Sequence, residues 1–366
     1  MKGNVIVGQS GGPTAVINSS LAGVYKTAKD RGARKVYGML HGIQGLLEEK
    51  YVDLSEHIKS DLDIDLLKRT PSAYLGSCRY KLPEIKGNTD FYDRIFEILD
   101  KLEIEYFFYI GGNDSMDTIK KLSDYAILNG STIKFMGVPK TIDNDLWGTD
   151  MTFGFQSAVD IATNAIDCIH TTASSHGRVF IVEVMGHKVG WLTLHAGIAG
   201  GADIILIPEI PYDLDKVVKK IKERTKNGSR FSILAVAEGA ISKEQAALSK
   251  KEYKKYLEER ATKYQSVAYE IGAKIQEMTG QEIRVTVPGH MQRGGTPVPY
   301  DRVISTRIGA HAAEMIKNNE FGKLVVVKNN VITDIPLAES AGKLKYVDPQ
   351  SDIVNEAKLI GISFGD

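Results

Sequence analysis

The sequence has little cysteine, no excess charge of either sign and no long apolar run. Its 366 residues include two cysteines, Cys78 and Cys168, too few for a disulfide framework or a cysteine-rich zinc site. Lysine plus arginine and aspartate plus glutamate both total 46, so no overall field attracts nucleic acid or an anionic membrane. No stretch approaches the roughly 18 apolar residues of a membrane span, and no secretory leader pattern is present. We therefore expect a cytoplasmic protein that binds neither nucleic acid nor membrane.

With 43% hydrophobic and 25% charged residues, the composition is that of a globular protein long enough for two domains. Short runs rich in Val, Ile, Phe and Tyr alternate with segments of helical period, a pattern typical of βαβ units and buried parallel sheets. The predicted strands cover residues 4–8, 35–40, 106–110, 133–138, 178–185, 203–207, 230–237, 283–287 and 323–328.

Polar or glycine-rich runs follow four of these predicted strands. In parallel sheets, ligands bind beyond the carboxyl ends of strands, where glycine-rich turns lead into helices. The four runs are Gly8–Pro13, Gly111–Ser115, Lys140–Asp145 and Met185–His187. Their placement predicts a shared ligand site at the carboxyl ends of the strands.

The four runs differ in how strongly they indicate chemistry. Gly8–Pro13 has neither the P-loop ending nor the dinucleotide-fold spacing, and it could be a plain βα turn. Asp114 could simply lie beside a helix N-cap. Lys140–Asp145 is sharper, because it holds one lysine, one hydroxyl and two carboxylates within six positions. Asp143 and Asp145 would project to the same side if this segment were extended. A base, a cation and backbone N–H groups near glycines are what phosphoryl transfer requires.

Basic residues near the later strand ends suit an anionic substrate. They are Arg178, His187, Lys188, Arg284, His290 and Arg293. Each one alone is more often a surface charge. The run Gly289–Gly295 is more specific, because its glycines flank His290 and Arg293 and permit close approach to a phosphate.

Taken in order, the motifs resemble those of the phosphofructokinase family, from the N-terminus to about Arg307. The motifs that carry the resemblance are Gly11–Gly12, Gly76–Arg79, Gly111–Ser115, Lys140–Asp145, Ser175–Arg178, Glu183–Gly186, Ala237–Gly239 and Gly289–Asp301. Such enzymes phosphorylate the 1-hydroxyl of fructose 6-phosphate. The resemblance therefore implies a Mg²⁺-dependent phosphotransferase.

The resemblance also implies a role for each matching residue. The catalytic group would be Asp143 as general base with Lys140, Asp145 and Thr141. The donor phosphates would be bound by Gly11, Gly12, Arg79, Gly112, Asp114, Ser115 and Lys140. The sugar phosphate would be bound by Thr141, Asp143, Arg178, Met185, Gly186, His187, Glu238, Arg284, His290 and Arg293. Arg178 and Arg284 match arginines that reach a neighbouring subunit's site, which implies a homodimer or homotetramer with shared active sites.

Two positions favour pyrophosphate over ATP as the donor. Asp114 stands where ATP-using members usually have glycine, and two like charges about 4 Å apart repel by roughly 4 kcal/mol at an effective dielectric of 20. Lys140 matches the lysine of pyrophosphate-using members. Two other positions differ from the family's usual residues. Asn113 stands where the family has a metal-associated aspartate, so the metal residues would be Asn113 and Asp145. His187 stands where arginine usually follows Met-Gly.

We therefore predict two three-layer α/β/α domains with mainly parallel sheets and the active site in the cleft between them. Residues 1–154 with 292–342 would form the larger, phosphate-donor-binding domain, and residues 155–291 with 343–366 the smaller, sugar-phosphate-binding domain. The predicted reaction is reversible, Mg²⁺-dependent phosphorylation of fructose 6-phosphate by pyrophosphate in glycolysis. The alternatives are an ATP-dependent 6-phosphofructokinase, a related lipid or NAD kinase, and a non-catalytic sugar-phosphate sensor.

Overall fold

The computed structural model describes residues 3–366, which divide into two compact units. The first unit runs to Ser157 and resumes over Arg293–Lys345, and the second comprises Ala158–Gln292 and Tyr346–Asp366. The eleven strands of the described chain are β1 (Asn4–Gln9), β2 (Val36–Met39), β3 (Tyr51–Asp53), β4 (Ile104–Gly111), β5 (Lys134–Pro139), β6 (Val179–Val184), β7 (Ile204–Leu206), β8 (Ser232–Ala237), β9 (Ile283–Thr286), β10 (Lys323–Lys328) and β11 (Val331–Pro336).

Helices connect most of these strands, as the alternating sequence pattern requires. The α-helices are α1 (Ile17–Asp30), α2 (Gly42–Leu47), α3 (Leu54–His57), α4 (Asp61–Arg69), α5 (Thr89–Lys101), α6 (Asn113–Asn129), α7 (Phe155–His176), α8 (Trp191–Ala199), α9 (Leu214–Lys226), α10 (Lys243–Ala246), α11 (Lys250–Lys263), α12 (Val267–Thr279), α13 (Pro299–Glu314), α14 (Leu337–Ser340) and α15 (Asp352–Leu359). A 3-10 helix covers Gly289–Arg293. No helix of residues 3–366 is long and apolar enough to cross a membrane.

The first unit is built on a seven-stranded sheet of order β11-β10-β5-β4-β1-β2-β3. Its five inner strands pair in parallel, and only the two edge pairings are antiparallel. Alternate residues of β1 enter different cores: Val5 and Val7 pack on one face of the sheet and Ile6 on the other. Both faces are therefore covered, which makes this unit a three-layer α/β/α structure.

Two glycines bring α1 and α13 into close contact, which joins the two chain segments of the first unit. A Cβ placed on Gly23 would lie 2.3 Å from the carbonyl oxygen of Thr306, and one on Gly309 would lie 2.0 Å from that of Ser20. Any larger residue at either position would push the helices apart. The segment that begins at Arg293 is thereby held against the N-terminal part of the chain.

The second unit contains a fully parallel four-stranded sheet of order β7-β8-β6-β9. Its main core is formed by these strands with α9 and α12, whose inward residues include Val217, Ile221, Ile271 and Ile275. Helix α11 has no buried residue. The expected α/β class with mainly parallel sheets is thus confirmed.

All nine predicted strands occur, with ends that differ by one or two residues, and two further strands were missed. The missed strands are β3, which has three residues, and β11, an exposed edge strand paired with β10. Asn329 and Asn330 link β10 to β11 with φ values of 51° and 63°. Two adjacent asparagines with positive φ are typical of a two-residue hairpin, so the sequence did carry a signal for β11.

Candidate active site

The turn after β1 is fixed by backbone hydrogen bonds to two other segments of the chain. Ser10 donates its N–H to the carbonyl of Ile110 at 2.9 Å, and Gly11 donates its N–H to the carbonyl of Cys78 at 2.9 Å. Gly11 has a φ of 78°, and a Cβ there would lie 3.1 Å from the Lys140 Nζ. The glycine therefore lets the ammonium lie directly against the backbone of this turn.

The second glycine turn joins β4 to helix α6, whose N-cap is Gly112. A Cβ on Gly111 would lie 2.0 Å from the Ser115 Oγ, and that hydroxyl makes a 3.0 Å hydrogen bond with the Ser10 Oγ. The serine pair ties the first turn of α6 to the turn after β1. The positive dipole end of this 17-residue helix therefore favours a bound phosphate here.

The neighbours Asn113 and Asp114 have different surroundings in the first turn of α6. Asn113 donates from Nδ2 to the carbonyl oxygen of Lys343 at 2.7 Å. The side chain of Asp114 is 69% exposed and lies 3.1 Å from the Lys81 ammonium, which is itself 73% exposed. An ion pair this exposed contributes little to stability.

Lys140 is only 3% exposed and follows β5 directly. Its backbone N–H donates to the carbonyl of Gly111 at 2.9 Å, which fixes it beside the second glycine turn. Burial lowers the pKa of Lys140 to about 8, opposed by Asp143 and Asp145 and assisted by Arg293 and Arg79. The ammonium is therefore desolvated, and a bound phosphate would stabilise its charged form.

The loop that carries Asp143 and Asp145 is not extended, because Asn144 between them has a φ of 52°. The premise for expecting both carboxylates on one side is therefore wrong. Asn144 accepts from the N–H of Thr152 at 3.0 Å and donates from Nδ2 to the carbonyl of Asp150 at 3.2 Å. Asp143 is half-buried, and its N–H donates to the Thr141 Oγ1 at 3.1 Å. Internal hydrogen bonds thus hold the shape of this loop, residues 140–154, between β5 and α7.

Arg293 lies against the first glycine turn within the first unit. A Cβ on Gly12 would lie 3.0 Å from its guanidinium carbon, so a larger residue there would press on the arginine side chain. Both Arg293 and the exposed Arg79 lower the pKa of Lys140, so each guanidinium lies within electrostatic reach of the Lys140 ammonium. Positive charge is thus concentrated beside the first glycine turn, an arrangement that suits an anion.

Sugar-side candidates in the second unit meet at the carboxyl ends of β6 and β8. The Gly186 N–H donates to the Glu238 Oε1 at 3.4 Å, and the Met185 N–H donates to the Gln292 Oε1 at 3.1 Å. Gly186 has a φ of 133°, which only glycine adopts readily. His187 follows in the same turn and is exposed, as is His290 in the 3-10 helix.

Arg178 and Arg284 lie at the other end of the same sheet. Arg178 precedes the first residue of β6, and Arg284 is the second residue of β9, which pairs in parallel with β6. Both guanidinium groups bind the carboxylate of Glu282. Six residues of parallel strand span roughly 20 Å, so neither arginine reaches Met185 or Gly186 of its own chain.

Sequence reasoning missed three residues that shape these sites. Gln292 is buried and links Met185 to the carbonyl of Gly289, to which its Nε2 donates at 3.0 Å. Lys343 and Lys345 approach Asn113 and Asp145, respectively. Gln292 lies inside a recognised motif and could have been found there, whereas nothing in the local pattern marks the two lysines.

The oxygen ligands of the predicted metal site fit magnesium only if phosphate supplies further ligands. No group of three or more His, Cys, Asp or Glu side chains that could hold a metal occurs in the described part of the chain. Mg²⁺ commonly keeps several waters and binds one or two carboxylates together with substrate phosphates. The carboxylate of Asp145 and the amide oxygen of Asn113 satisfy that smaller requirement.

Comparison with known proteins points the same way along the whole chain. The family model described as phosphofructokinase matches residues 4–316. An ATP-dependent 6-phosphofructokinase of Spirochaeta thermophila is 43% identical over 98% of this chain and 96% of its own length. An ATP-dependent 6-phosphofructokinase of Bacteroides thetaiotaomicron is 40% identical over 97% and 98%. A crystal structure of a pyrophosphate-dependent phosphofructokinase of Nitrosospira multiformis has a TM-score of 0.83 and 28% identity, and covers 96% of this chain and 87% of that one.

Proposed function

Because the chain belongs to the phosphofructokinase family and is a phosphotransferase, we propose that it transfers a phosphoryl group from pyrophosphate to the 1-hydroxyl of fructose 6-phosphate. The products are fructose 1,6-bisphosphate and orthophosphate. The observation that carries the proposal is the cluster of Lys140, Arg293 and Arg79 beside the open turn at Gly11 and Gly12. This cluster suits the terminal and transferring phosphates of a donor.

In the proposed reaction, the carboxylate of Asp143 accepts the proton of the sugar 1-hydroxyl. The resulting oxygen attacks the terminal phosphorus, the bond from that phosphorus to the bridging oxygen breaks, and orthophosphate leaves with the bond's electrons. Thr141 orients the loop through its hydrogen bond from the Asp143 N–H. Lys140 and Arg293 stabilise charge on the phosphoryl group in transfer, because they lie beside Gly11 and Gly12.

Asn113 and Asp145 are the residues that would hold Mg²⁺ with the donor. The ion would neutralise phosphate charge during transfer. Gly112 and Ser115 present the N-terminal turn of α6 to the donor, next to these residues. We assign donor binding to the first unit on this basis.

The sugar phosphate is assigned to the second unit. Glu238, Met185 and Gly186 form a connected set at the carboxyl ends of two parallel strands, where ligands of such sheets bind. His187 and His290 would add contacts to the phosphate from exposed positions. Arg178 and Arg284 would serve the site of a neighbouring chain, because they lie at the opposite end of these strands from Met185 and Gly186. An oligomer with shared sites, either a homodimer or a homotetramer, follows from that assignment.

Asp114 supports pyrophosphate as the donor by bulk and by charge. It lies at the start of α6, where an adenosine-linked phosphate would extend beyond the two phosphates that pyrophosphate has. Since the carboxylate is 69% exposed, its repulsion of another charge at 4 Å falls toward ~1 kcal/mol, so bulk contributes much of the discrimination. Pyrophosphate ends before this position.

ATP is the second candidate donor, and the names of the relatives favour it. The Spirochaeta and Bacteroides relatives, at 43% and 40% identity, are both named ATP-dependent. The Nitrosospira structure named pyrophosphate-dependent is less similar, at 28% identity. Local chemistry at Asp114 and Lys140 therefore supports one donor, while overall sequence similarity supports the other.

The reaction itself is tested with Asp143→Asn, which keeps the size of the side chain but cannot accept the proton. We expect turnover to fall by several orders of magnitude while fructose 6-phosphate still binds, measured by calorimetry. Retention of turnover by this variant would refute the base assignment. A wild-type protein that binds the sugar but turns over with neither donor would instead be a sugar-phosphate sensor.

A further inference from the structure

A short segment beyond the family-matched residues lies along the loop 140–154, which carries Asp143 and Asp145. Leu344 forms an antiparallel bridge with Leu146, and the Lys345 N–H donates to the carbonyl of Asp145 at 2.9 Å. The carbonyl of Lys343 accepts from the Asn113 side chain at 2.7 Å. The family model ends at residue 316, so this contact is made by a part of the chain that the model does not cover.

The Lys345 side chain makes further contacts with the same loop through its ammonium group. Nζ donates to the carbonyl oxygens of Thr149 and Asp150 at 2.8 and 3.0 Å. Burial lowers the pKa of the Lys345 ammonium to about 8, against the opposing influence of Asp150 and Asp145. A desolvated lysine costs stability unless nearby oxygens compensate, and here the carbonyl oxygens of Thr149 and Asp150 in the loop 140–154 do so.

Asn113 has a side chain that matches this segment chemically. Its amide nitrogen can donate to the Lys343 carbonyl, whereas an ionised aspartate, the residue that the resemblance leads one to expect, can only accept. The hydrogen bond commits Nδ2 and leaves Oδ1 as the one atom of the group able to face a cation. Asn113 and the segment Lys343–Lys345 therefore form a complementary pair.

We propose that Lys345 is a positioning residue for Asp145 and that the segment Lys343–Lys345 forms a wall of the phosphate-donor site. The inference rests on the proposed roles of Asp143 and Asp145 in phosphoryl transfer. The Lys345 ammonium donates to the carbonyls of Thr149 and Asp150, and its backbone N–H donates to the carbonyl of Asp145. The segment thereby fixes where the Asp145 carboxylate and the Asn113 amide oxygen meet the donor.

The first test replaces Lys345 with methionine, which keeps the stem and removes the ammonium. We expect kcat to fall roughly ten- to a hundredfold, with the KM for fructose 6-phosphate within about twofold, because a misplacement near 1 Å costs rates of this size. Lys328→Met is the matched control, since Lys328 is an exposed lysine of the same unit, and it should retain wild-type kcat.

Assays use whichever donor supports turnover, so the result does not depend on the choice between pyrophosphate and ATP. Asp143→Asn is assayed in parallel. Full activity of that variant would refute the base assignment, and the role of Lys345 would still be decided by Lys345→Met. Wild-type kcat in folded Lys345→Met protein would overturn the positioning role. Equal changes in kcat and in the KM for the sugar would also overturn it, because they indicate general damage.

The second test needs no substitution and remains valid if Lys345→Met does not fold. Hydrogen exchange of the peptide that contains Lys343–Lys345 is measured in wild-type protein, alone and with Mg²⁺ plus pyrophosphate or Mg²⁺ plus ATP. We expect the bound donor to slow exchange of the Lys345 amide several-fold, because that amide is bonded to the Asp145 carbonyl. Unchanged exchange at saturating donor would overturn the proposal that the segment is a wall of the site.

Discussion

The side-chain amide of Asn113 donates a 2.7 Å hydrogen bond to the carbonyl oxygen of Lys343, 230 residues further along the chain. The bond joins the first turn of α6 to a segment that also bridges Leu146. It gives a physical reason for asparagine at a position where an acidic metal ligand would be expected. The amide nitrogen makes this structural bond, and the amide oxygen remains available for the proposed Mg²⁺ and donor.

Replacing Asn113 with aspartate should lower the stability of the fold, even though it adds a negative charge at the proposed metal site. The carboxylate cannot donate to the Lys343 carbonyl, and losing this solvent-exposed hydrogen bond costs about 0.5–1.5 kcal/mol. We expect a lower urea midpoint and a lower Mg²⁺ half-saturation concentration. Asn113→Gln, whose amide can still donate, serves as the comparison. An unchanged urea midpoint in Asn113→Asp would show that the hydrogen bond does not contribute to stability.

Replacing Asp114 with glycine should open the donor site to ATP. Removal of charge and bulk together is expected to raise kcat/KM for ATP more than tenfold. Asp114→Asn removes the charge alone, and a gain of only about fivefold corresponds to ~1 kcal/mol of screened repulsion. Steady-state kinetics with ATP at fixed free Mg²⁺ measure both variants. Equal ATP kinetics in wild type and Asp114→Gly would remove this residue from donor selection.

The buried ammonium of Lys140 should give the pH profile a basic limb. Its pKa is lowered to about 8 by burial, so the free enzyme loses this positive charge as the pH rises through that value. Because kcat/KM reports ionisations of the free enzyme, kcat/KM for the donor should decline above pH 8. Lys140→Arg should lose this limb, since arginine stays protonated. A profile that is flat from pH 7 to 10 in wild type would contradict the assignment.

Two inactive variants should restore activity when they share an oligomer. Asp143→Asn lacks the base, and a chain with both Arg178→Ala and Arg284→Ala lacks the cations assigned to the neighbouring site. Co-expression with separable affinity tags yields mixed oligomers, in which some sites combine an intact base with intact arginines. We expect those oligomers to be active while each variant alone is not. Inactive mixed oligomers would mean that the arginines do not serve a neighbouring chain.

Much of the fold was predictable from sequence because buried parallel strands are nearly continuous apolar runs. The β4 segment Ile104–Gly111 is an example, and seven of its eight residues are buried. Strands β3 and β11 escaped because one is very short and the other is an exposed edge strand with mixed polarity. Whether such strands form depends more on the neighbouring strand with which they pair than on their own residue pattern.

Parts of the candidate site were predictable for a different reason. Gly11, Gly112 and Lys140 follow strand ends, so topology alone brings them together. The left-handed φ of Asn144 was not anticipated, because it depends on its hydrogen bonds to Thr152 and Asp150. The approach of Lys345 to Asp145 depends on tertiary packing across 200 positions and has no local signal.

The most direct test of the account compares the two donors on the purified wild-type protein. Fructose 1,6-bisphosphate formation is measured with pyrophosphate and with ATP at equal free Mg²⁺, with fructose 6-phosphate held constant. We expect a kcat/KM for pyrophosphate at least tenfold above that for ATP. A clear preference for ATP would contradict the roles given to Asp114 and Lys140 in donor choice.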